Sequence, residues 1–172
     1  GLWVVQNIFL VVTTMHRNWS YISAYGLTHK RIGVMVFLWL CIAGLVLTLI
    51  KVVQIKNNWF LFRKNAWVLY VTMVVCSLAN WDSIIASHNI ALARRSYRPL
   101  DEYYLNNLSG SSLVTLFEEY RNEKTFPASQ RIFSSSLVAQ MKVRYYNYIG
   151  YSKSWQSYNY TTYQIENNIP QL

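Results

Sequence analysis

The feature that most constrains this sequence is a run of nineteen residues, Ile32 to Ile50, without a single charged side chain. As an α-helix with a rise of about 1.5 Å per residue, the run nearly crosses the ~30 Å hydrocarbon layer of a bilayer. Apolar residues surround the whole helix instead of forming one stripe, so every face of it requires an apolar environment. The run therefore predicts a membrane-spanning helix, which we place at about residues 32–53.

Two more apolar runs lie on either side of the first. One begins at Ala66 and meets its first charged residue at Asp82. With the Ser-Ile-Ile-Ala segment that follows, it is long enough to span, and we place this span at about 66–86. The other run, residues 2–15, is too short to cross a membrane alone. No basic segment precedes it and no small-residue cleavage site follows it, which argues against a signal peptide. We interpret it as the end of a span and expect the chain to be a C-terminal piece of a larger membrane protein.

The net charge of +9 is distributed unevenly along the chain. Residues 1–98 carry ten basic side chains and one acidic side chain, whereas residues 99–172 carry six of each. The basic residues of the first part bracket the apolar runs, whereas a nucleic-acid-binding protein gathers its basic residues on one folded surface. We therefore predict a lipid bilayer, and no nucleic acid, as a partner. The chain divides into a transmembrane region, 1–98, and an extramembrane region, 99–172.

The basic residues also predict an orientation in the membrane. The segment 16–31, together with residues 87–98 after the last span, carries six basic side chains, and the segment 51–65 carries four. Cytoplasmic loops of membrane proteins carry the excess of lysine and arginine. This difference favours a multi-pass protein of the cell membrane whose C-terminal region is cytoplasmic.

The C-terminal region consists of short amphipathic segments. Residues 113–123 place apolar side chains at every third or fourth position, with the glutamates mostly off that face. Similar segments lie at 100–108, at 128–150 and near Trp155, so we expect four short helices. The Ser-Gly-Ser-Ser segment at 109–112 should separate the first two and offer N-cap hydroxyls. A core of this size is marginal alone, so we expect it to rely on the membrane part or on a protein partner.

The predicted fold class is all-α, with integral membrane helices followed by a small C-terminal helical region. One segment, the tyrosine-rich residues 145–163, could also form a strand. Its polar residues alternate poorly with its apolar ones, so helix is the preferred interpretation.

The most suggestive polar residue is Asp82, the only acidic residue among the first 98. It could serve a proton or cation path inside the membrane, or pair with Arg31 across helices. Alternatively Asn80 caps a helix that restarts here, and Asp82 lies in its first turn, where the helix dipole favours a negative charge. Asn89 lies seven positions further on the same helical face, and His88 is adjacent to that face. These five residues form the candidate functional polar cluster.

A second candidate feature precedes the nineteen-residue run. Thr28 is expected to cap the helix that begins there, with Tyr25 and Gly26 shaping the turn before it. Arg31 lies one residue before the run, where its guanidinium could reach the headgroups or bind a lipid phosphate.

No part of the sequence has the spacing of a catalytic, metal or cofactor site. The three histidines are scattered, without a second ligand near any of them. Cys41 and Cys76 lie inside apolar runs, where cysteine behaves as a small apolar residue. A glycine-rich phosphate loop and a nucleophile–base pair are both lacking. We therefore predict no catalytic residue, no metal, no cofactor and no enzymatic activity.

Three motifs in this order resemble the C-terminal half of bacterial multi-pass membrane proteins, the domain-of-unknown-function families four-one-five-three and four-one-seven-three. The family pattern has Y-G-L-T-x-x-R before a span, N-P-D-x-x-I-A-x-x-N after the last span and a terminal W-x-S-x-N. The matching residues are Tyr25, Gly26, Leu27, Thr28 and Arg31, then the segment from Asn80 to Asn89, and finally Trp155, Ser157 and Asn159. The sequence departs from the pattern at Trp81, where the family has proline. The resemblance extends from Trp19 onward and implies the bacterial inner membrane, with no established activity.

Two functions are compatible with these features. The first is a non-enzymatic membrane protein that acts as a scaffold, an interaction module or a signal relay, with residues 99–172 as its contact surface. The alternative is part of a transporter or channel, with Asp82 and Asn89 lining the path.

Overall fold

The computed structural model describes residues 2–96, 99–125, 131–151 and 159–169. The described residues form eight α-helices and no β-strand, which confirms the predicted all-α fold. The helices are α1 (Leu2–Tyr25), α2 (His29–Val53), α3 (Asn58–Leu78), α4 (Trp81–Ser96), α5 (Glu102–Asn106), α6 (Ser111–Glu123), α7 (Ser135–Tyr151) and α8 (Tyr160–Asn168).

The chain forms two compact units. The first unit, Gly1–Ala79, contains α1, α2 and α3, and the second unit, Asn80–Leu172, contains α4 to α8. The predicted division between a transmembrane and an extramembrane region at residues 98 and 99 stays a prediction, whereas the boundary between the two packed units lies before α4. The physical reason is that α4 packs against α6 and buries Ile85 and Ile90 completely.

In the first unit, α1 packs against α2 and α2 packs against α3. The turn between α1 and α2 contains Gly26, whose φ of 83° lies in the left-handed region that favours glycine. Thr28 is the N-cap of α2, and its side chain accepts a hydrogen bond from the backbone N–H of Arg31, which confirms the predicted cap. The helix then continues to Val53, the predicted end of the span.

α1 continues ten residues beyond the apolar run 2–15, to Tyr25, and the assignment of that run to the end of a span stays a prediction. Residues 16–25 are therefore helical and do not belong to a loop. Four hydroxyl groups along this helix each donate a hydrogen bond to the backbone carbonyl four residues earlier, so these polar side chains are accommodated within the helix. The hydroxyl groups are those of Thr13, Thr14, Ser20 and Ser23. Among the described helices, α2 and α3 are long and apolar enough to cross a membrane, and α1 does not meet that criterion.

The predicted span at 66–86 stays a prediction, and the helices of this segment have other bounds. α3 begins eight residues earlier, at Asn58, and ends at Leu78, so the predicted loop 51–65 shrinks to a short turn. Ala79 then takes an extended conformation, with φ −77° and ψ 130°, and α4 begins at Trp81. The break thus occurs without the proline that the family pattern has at this position. It agrees with the alternative in which Asn80 caps a helix that restarts here.

The second unit has a core in which α6 contacts α4, α7 and α8, while α7 also contacts α5 and α8. Its completely buried side chains include those of Leu105, Leu113, Leu116, Leu137, Met141 and Ile165. Four short helices after residue 99 were predicted, and α5 to α8 confirm them.

The ends of these helices differ from the predicted ones. α7 begins at Ser135, since residues 131–134 are not helical, and it continues through Gly150 to Tyr151. α8 begins at Tyr160, with Asn159 as its N-cap. Within the tyrosine-rich segment, the described residues are helical or cap a helix; residues 152–158, including Trp155 and Ser157, lie outside the described part of the chain.

Candidate functional site

The start of α4 carries two of the predicted site residues, Asn80 and Asp82. The Asn80 Oδ1 accepts the backbone N–H of Ser83 at 3.4 Å, which is the geometry of an N-cap. The same oxygen accepts the hydroxyl of Ser111 at 3.0 Å. Asp82 is half-buried in the first turn of α4, and its carboxylate accepts the hydroxyl of Ser109. Both residues are therefore engaged by the connection between α5 and α6.

Further hydrogen bonds complete this arrangement. The hydroxyls of Ser109 and Ser111 lie 2.9 Å apart, and the Ser83 hydroxyl donates to the Ser111 carbonyl at 3.1 Å. We call the five residues Asn80, Asp82, Ser83, Ser109 and Ser111 the Asp82 cluster. The predicted capping of α6 by serine hydroxyls is wrong, because Gly110 occupies the N-cap position without a side-chain bond. The hydroxyls of Ser109 and Ser111 bond to α4 residues and to each other instead.

Arg144 of α7 approaches the Asp82 cluster from the other side of the α5–α6 connection. Its guanidinium donates to the carbonyls of Leu108 at 2.5 Å, Ser109 at 3.3 Å and Leu105 at 3.4 Å. Burial lowers the pKa of Arg144 below its usual value, and interactions with Tyr148 and Asp82 act in the opposite direction. Arg144 thus ties α7 to the end of α5 and to the connection that follows it.

Gly110 allows a close approach between the α5–α6 connection and α7. A Cβ atom at this position would lie 2.5 Å from Cζ and 2.7 Å from the hydroxyl oxygen of Tyr148. Those distances are far inside van der Waals contact. The glycine therefore lets the ring of Tyr148 lie directly against the backbone beside the Asp82 cluster.

The Asp82 cluster is organised as a structural link. The carboxylate, the amide oxygen and the hydroxyls bond to one another and to the backbone, which holds the start of α4 against the start of α6. In the described ranges, no group of three or more histidine, cysteine, aspartate or glutamate side chains could hold a metal ion. The geometry supports the capping interpretation of Asn80 and Asp82.

The other members of the predicted polar cluster lie elsewhere. His88 and Asn89 are half-buried further along α4, and within the described structure the His88 Nδ1 is buried without a hydrogen-bond partner. Arg31 belongs to the first unit, in the first turn of α2. Its guanidinium donates to the carbonyl of Gly26 and lies 5.8 Å from the centroid of the Tyr25 ring. Its pairing with Asp82 stays a prediction.

The motif before α2 is a compact turn. Besides the Thr28 cap and the Arg31 contacts, the side chain of Asn18 donates to the Arg31 carbonyl at 3.2 Å. Gly26 is buried, and its N–H donates to the Ile22 carbonyl at 2.8 Å. Tyr25, Gly26, Thr28 and Arg31 therefore act together to reverse the chain between α1 and α2.

Sequence reasoning missed two charged residues that organise the second unit. The sequence pattern placed the glutamates of this segment mostly off the apolar face, but Glu123 is only 2% exposed. Its carboxylate accepts hydrogen bonds from the backbone N–H groups of Ile132 and Phe133. A negative charge in the last turn of a helix is unfavourable because of the helix dipole, so the position of Glu123 could have indicated that this residue has a structural role. For Arg144 the signal was a cation between Met141 and Tyr148 on an otherwise apolar stripe.

Together these features define an all-helical protein with two helices that are long and apolar enough to span a membrane, joined in sequence to a packed helical unit. The chain belongs to the family described as Domain of unknown function (DUF4153), whose model matches residues 1–118. No curated protein and no solved structure matches the chain. The match confirms the first of the two families that the motifs indicated. It ends within α6, so the third motif, at residues 155–159, lies outside it.

Proposed function

We propose that this protein is a non-enzymatic, multi-pass protein of the bacterial inner membrane, in which the second unit serves as a scaffold or signal-relay module. The observation that carries the membrane part is the exposure of α2 and α3. No residue of α3 is buried, and in α2 only Leu38 is buried. The core helix of a water-soluble protein would be mostly buried, whereas lipid can cover apolar side chains on every face.

Charge supports the same proposal. The first unit carries seven basic side chains and no acidic one, and all but Arg17 lie near the ends of α2 or the start of α3; they are Arg17, Lys30, Arg31, Lys51, Lys56, Arg63 and Lys64. Such a distribution is typical of segments that flank spans and face anionic headgroups. The proposed orientation places the C-terminal unit in the cytoplasm, and a reporter protein fused after residue 172 tests it. Activity of an export-dependent reporter at that position would contradict the orientation.

Membrane integration is tested by alkaline carbonate extraction of cell membranes that contain the full chain. We expect the protein to stay in the pellet and to require detergent for release. Val71→Lys and Val75→Lys place charges on exposed positions of α3, and each should weaken integration, since lysine at a span centre costs about 3 kcal/mol. The matched control is Ala91→Lys, at an exposed position of α4. Release of the unaltered chain by carbonate would overturn the proposal.

The interaction role rests on the surface of the second unit. Four of its tyrosines expose more than half of their area, Tyr103, Tyr146, Tyr160 and Tyr163, and tyrosine is enriched in protein–protein interfaces. A photo-crosslinking residue at Lys142, beside exposed Val143 on α7, should yield a discrete adduct in cells. The adduct should disappear with Tyr146→Asp. A crosslinker at exposed Ser87 of α4 is the control. Identical products from both positions would contradict a defined contact surface.

The alternative function, a transport path through Asp82 and Asn89, has less support. The Asp82 carboxylate accepts a hydrogen bond from the Ser109 hydroxyl, so it contributes to the packing of the second unit. Reconstituted liposomes that contain the full chain should therefore show no proton or cation flux above that of empty liposomes. Flux that Asp82→Asn abolishes would replace the scaffold proposal with the transport one.

A further inference from the structure

The first half of α3 carries an exposed aromatic groove of about 430 Å³. Its lining residues are Trp59, Phe62, Arg63, Ala66, Trp67 and Tyr70. Their spacing of three and four places all of them on one face of the helix. We call this surface the α3 groove.

Two pairs of aromatic rings form the ends of the α3 groove. The rings of Trp59 and Phe62 are stacked with centroids 5.6 Å apart, and those of Trp67 and Tyr70 meet edge to face at 5.9 Å. Ala66 lies between the pairs, and its methyl group leaves the space between them open. All four rings expose more than half of their area, so this face of α3 has no covering helix in the described structure.

Arg63 supplies the charge of the α3 groove. Among the described residues, none forms a hydrogen bond or an ion pair with its guanidinium. Three more basic residues surround this end of α3, Lys51, Lys56 and Lys64, and the first unit contains no acidic side chain that could neutralise them. The ligand that complements this surface is therefore an anion with apolar parts.

The position of the groove along the helix agrees with a lipid that straddles the membrane interface. Asn58 begins α3, and Tyr70 lies about 18 Å further along the axis. Tryptophan favours the headgroup level of a bilayer, which suits Trp59 at the start of α3, and an arginine slightly inside that level extends its side chain toward the surface. Trp67 and Tyr70, near the middle of the helix, would lie at the depth of the acyl chains. A lipid here could place its phosphate beside Arg63 and one acyl chain past Ala66.

We propose that the α3 groove binds one anionic phospholipid, with the phosphodiester on the Arg63 guanidinium and an acyl chain between the two aromatic pairs. This proposal rests on the proposed membrane location. It goes beyond general contact with lipid, because it assigns selectivity for an anionic headgroup to one arginine and one small residue.

The test is native mass spectrometry of the full chain in detergent micelles, with dioleoyl phosphatidylglycerol or dioleoyl phosphatidylcholine as the probe. We expect the unaltered protein to retain phosphatidylglycerol preferentially. Arg63→Gln should lower that retention about tenfold, since a charge-assisted hydrogen bond to phosphate is lost. The matched control, Lys64→Gln, removes the same charge at the next position but not from the groove, and should change retention less than about twofold.

Ala66→Leu is the second variant, because it fills the space between the aromatic pairs and leaves every charge in place. It should lower retention of phosphatidylglycerol as strongly as Arg63→Gln does. Equal losses for Arg63→Gln and Lys64→Gln, or equal retention of both lipids by the unaltered protein, would overturn the proposal. A dimer that Ala66→Leu dissociates would assign the groove to a second copy of the chain instead, and would also overturn it.

Carbonate extraction of the same variants separates this proposal from the proposed function. Arg63→Gln should stay in the membrane pellet while it loses selective lipid retention. If the unaltered chain is extracted by carbonate, the membrane location and the lipid site both fail. If it stays in the pellet but does not discriminate between the two lipids, only the lipid site fails.

Discussion

The carboxylate of Asp82 accepts a hydrogen bond from the hydroxyl of Ser109, which joins the first turn of α4 to the connection before α6. The only acidic residue among the first 98 thus serves the packing of the second unit. Its neighbour Asn80 makes a parallel link through Ser111 at 3.0 Å. Together they explain why α4 belongs to this unit although the apolar pattern runs into it from α3.

The first prediction concerns this link. Asp82→Ala should lower the free energy of unfolding by about 1 kcal/mol, since it removes a hydrogen bond and a favourable charge at a helix N-terminus. Ser109→Ala should have a similar effect, and the double variant should cost less than the sum of the two. Asp82→Asn keeps an acceptor and should cost less than Asp82→Ala. Thermal unfolding followed by circular dichroism measures all four; strict additivity would show that the two residues are not coupled.

The second prediction concerns the buried carboxylate of Glu123. Glu123→Ala should destabilise the second unit by about 1–3 kcal/mol, because it removes the acceptor of the N–H groups of Ile132 and Phe133, which are half-buried. Glu123→Gln keeps one acceptor oxygen and should cost less. Exposed Glu118 on the same helix is the control, and Glu118→Ala should stay within about 0.5 kcal/mol. Chemical denaturation measures the difference, and equal effects at the two positions would refute the assigned role.

The third prediction compares two glycines. Gly110→Ala should cost about 1–3 kcal/mol, since its Cβ would overlap the ring of Tyr148 and force it to move. In the double variant with Tyr148→Ala, the clash is absent and the cost of the alanine should largely disappear. Gly150→Ala is the control, because no atom lies within 4 Å of a Cβ there, and alanine should stabilise α7 by about 0.5–1 kcal/mol. The melting temperatures of the variants measure these effects. An unchanged melting temperature for Gly110→Ala would contradict the close packing of Tyr148 against Gly110.

The fourth prediction concerns acid stability. Hydrogen bonds from Ser134 and Ser136 lower the pKa of Glu102 below its ordinary value of 4.5. The hydroxyl of Ser136 donates to the Glu102 carboxylate at 2.6 Å. Because the pKa is lower in the folded state, the carboxylate stabilises the fold above pH 4.5, and this contribution is lost as the pH falls through the folded-state pKa.

Glu102→Gln should therefore lower the melting temperature at pH 7, and the difference from the unaltered protein should shrink as the pH falls below 4.5. Ser136→Ala should reduce the same pH-dependent contribution. Glu118→Gln serves as the control and should leave the shape of the stability–pH curve unchanged. A difference between Glu102→Gln and the unaltered protein that persists undiminished at pH 3 would contradict the assignment.

Much of the first unit could be predicted from the sequence because its signals are local. The uncharged run that begins at Ile32 predicted a helix, and α2 covers the whole run, because hydropathy and the Thr28 cap both depend on neighbouring residues. For the break between α3 and α4 the sequence left two alternatives open, a polar residue inside a continuous span or a helix that restarts after Asn80. The extended conformation of Ala79 and the packing of α4 on α6 favour the second alternative.

The candidate site divides in the same way. The Asn80 cap and the position of Asp82 in the first turn of α4 could be predicted from the residue types at adjacent positions. Their partners were not, since Ser109 and Ser111 lie about thirty residues further along the chain. Arg144 contacts carbonyls more than thirty residues earlier, and no periodicity in the sequence reports such a contact.

The sequence by itself determined that this chain is helical and that two of its helices are long and apolar enough for a membrane, since hydropathy and charge act along a single segment. Only the tertiary structure decided where the second unit begins, and that Asp82, Glu123 and Arg144 hold its helices together. The physical reason is that a hydrogen bond or a buried charge depends on which distant segment lies beside it, and that information appears only when the chain has folded.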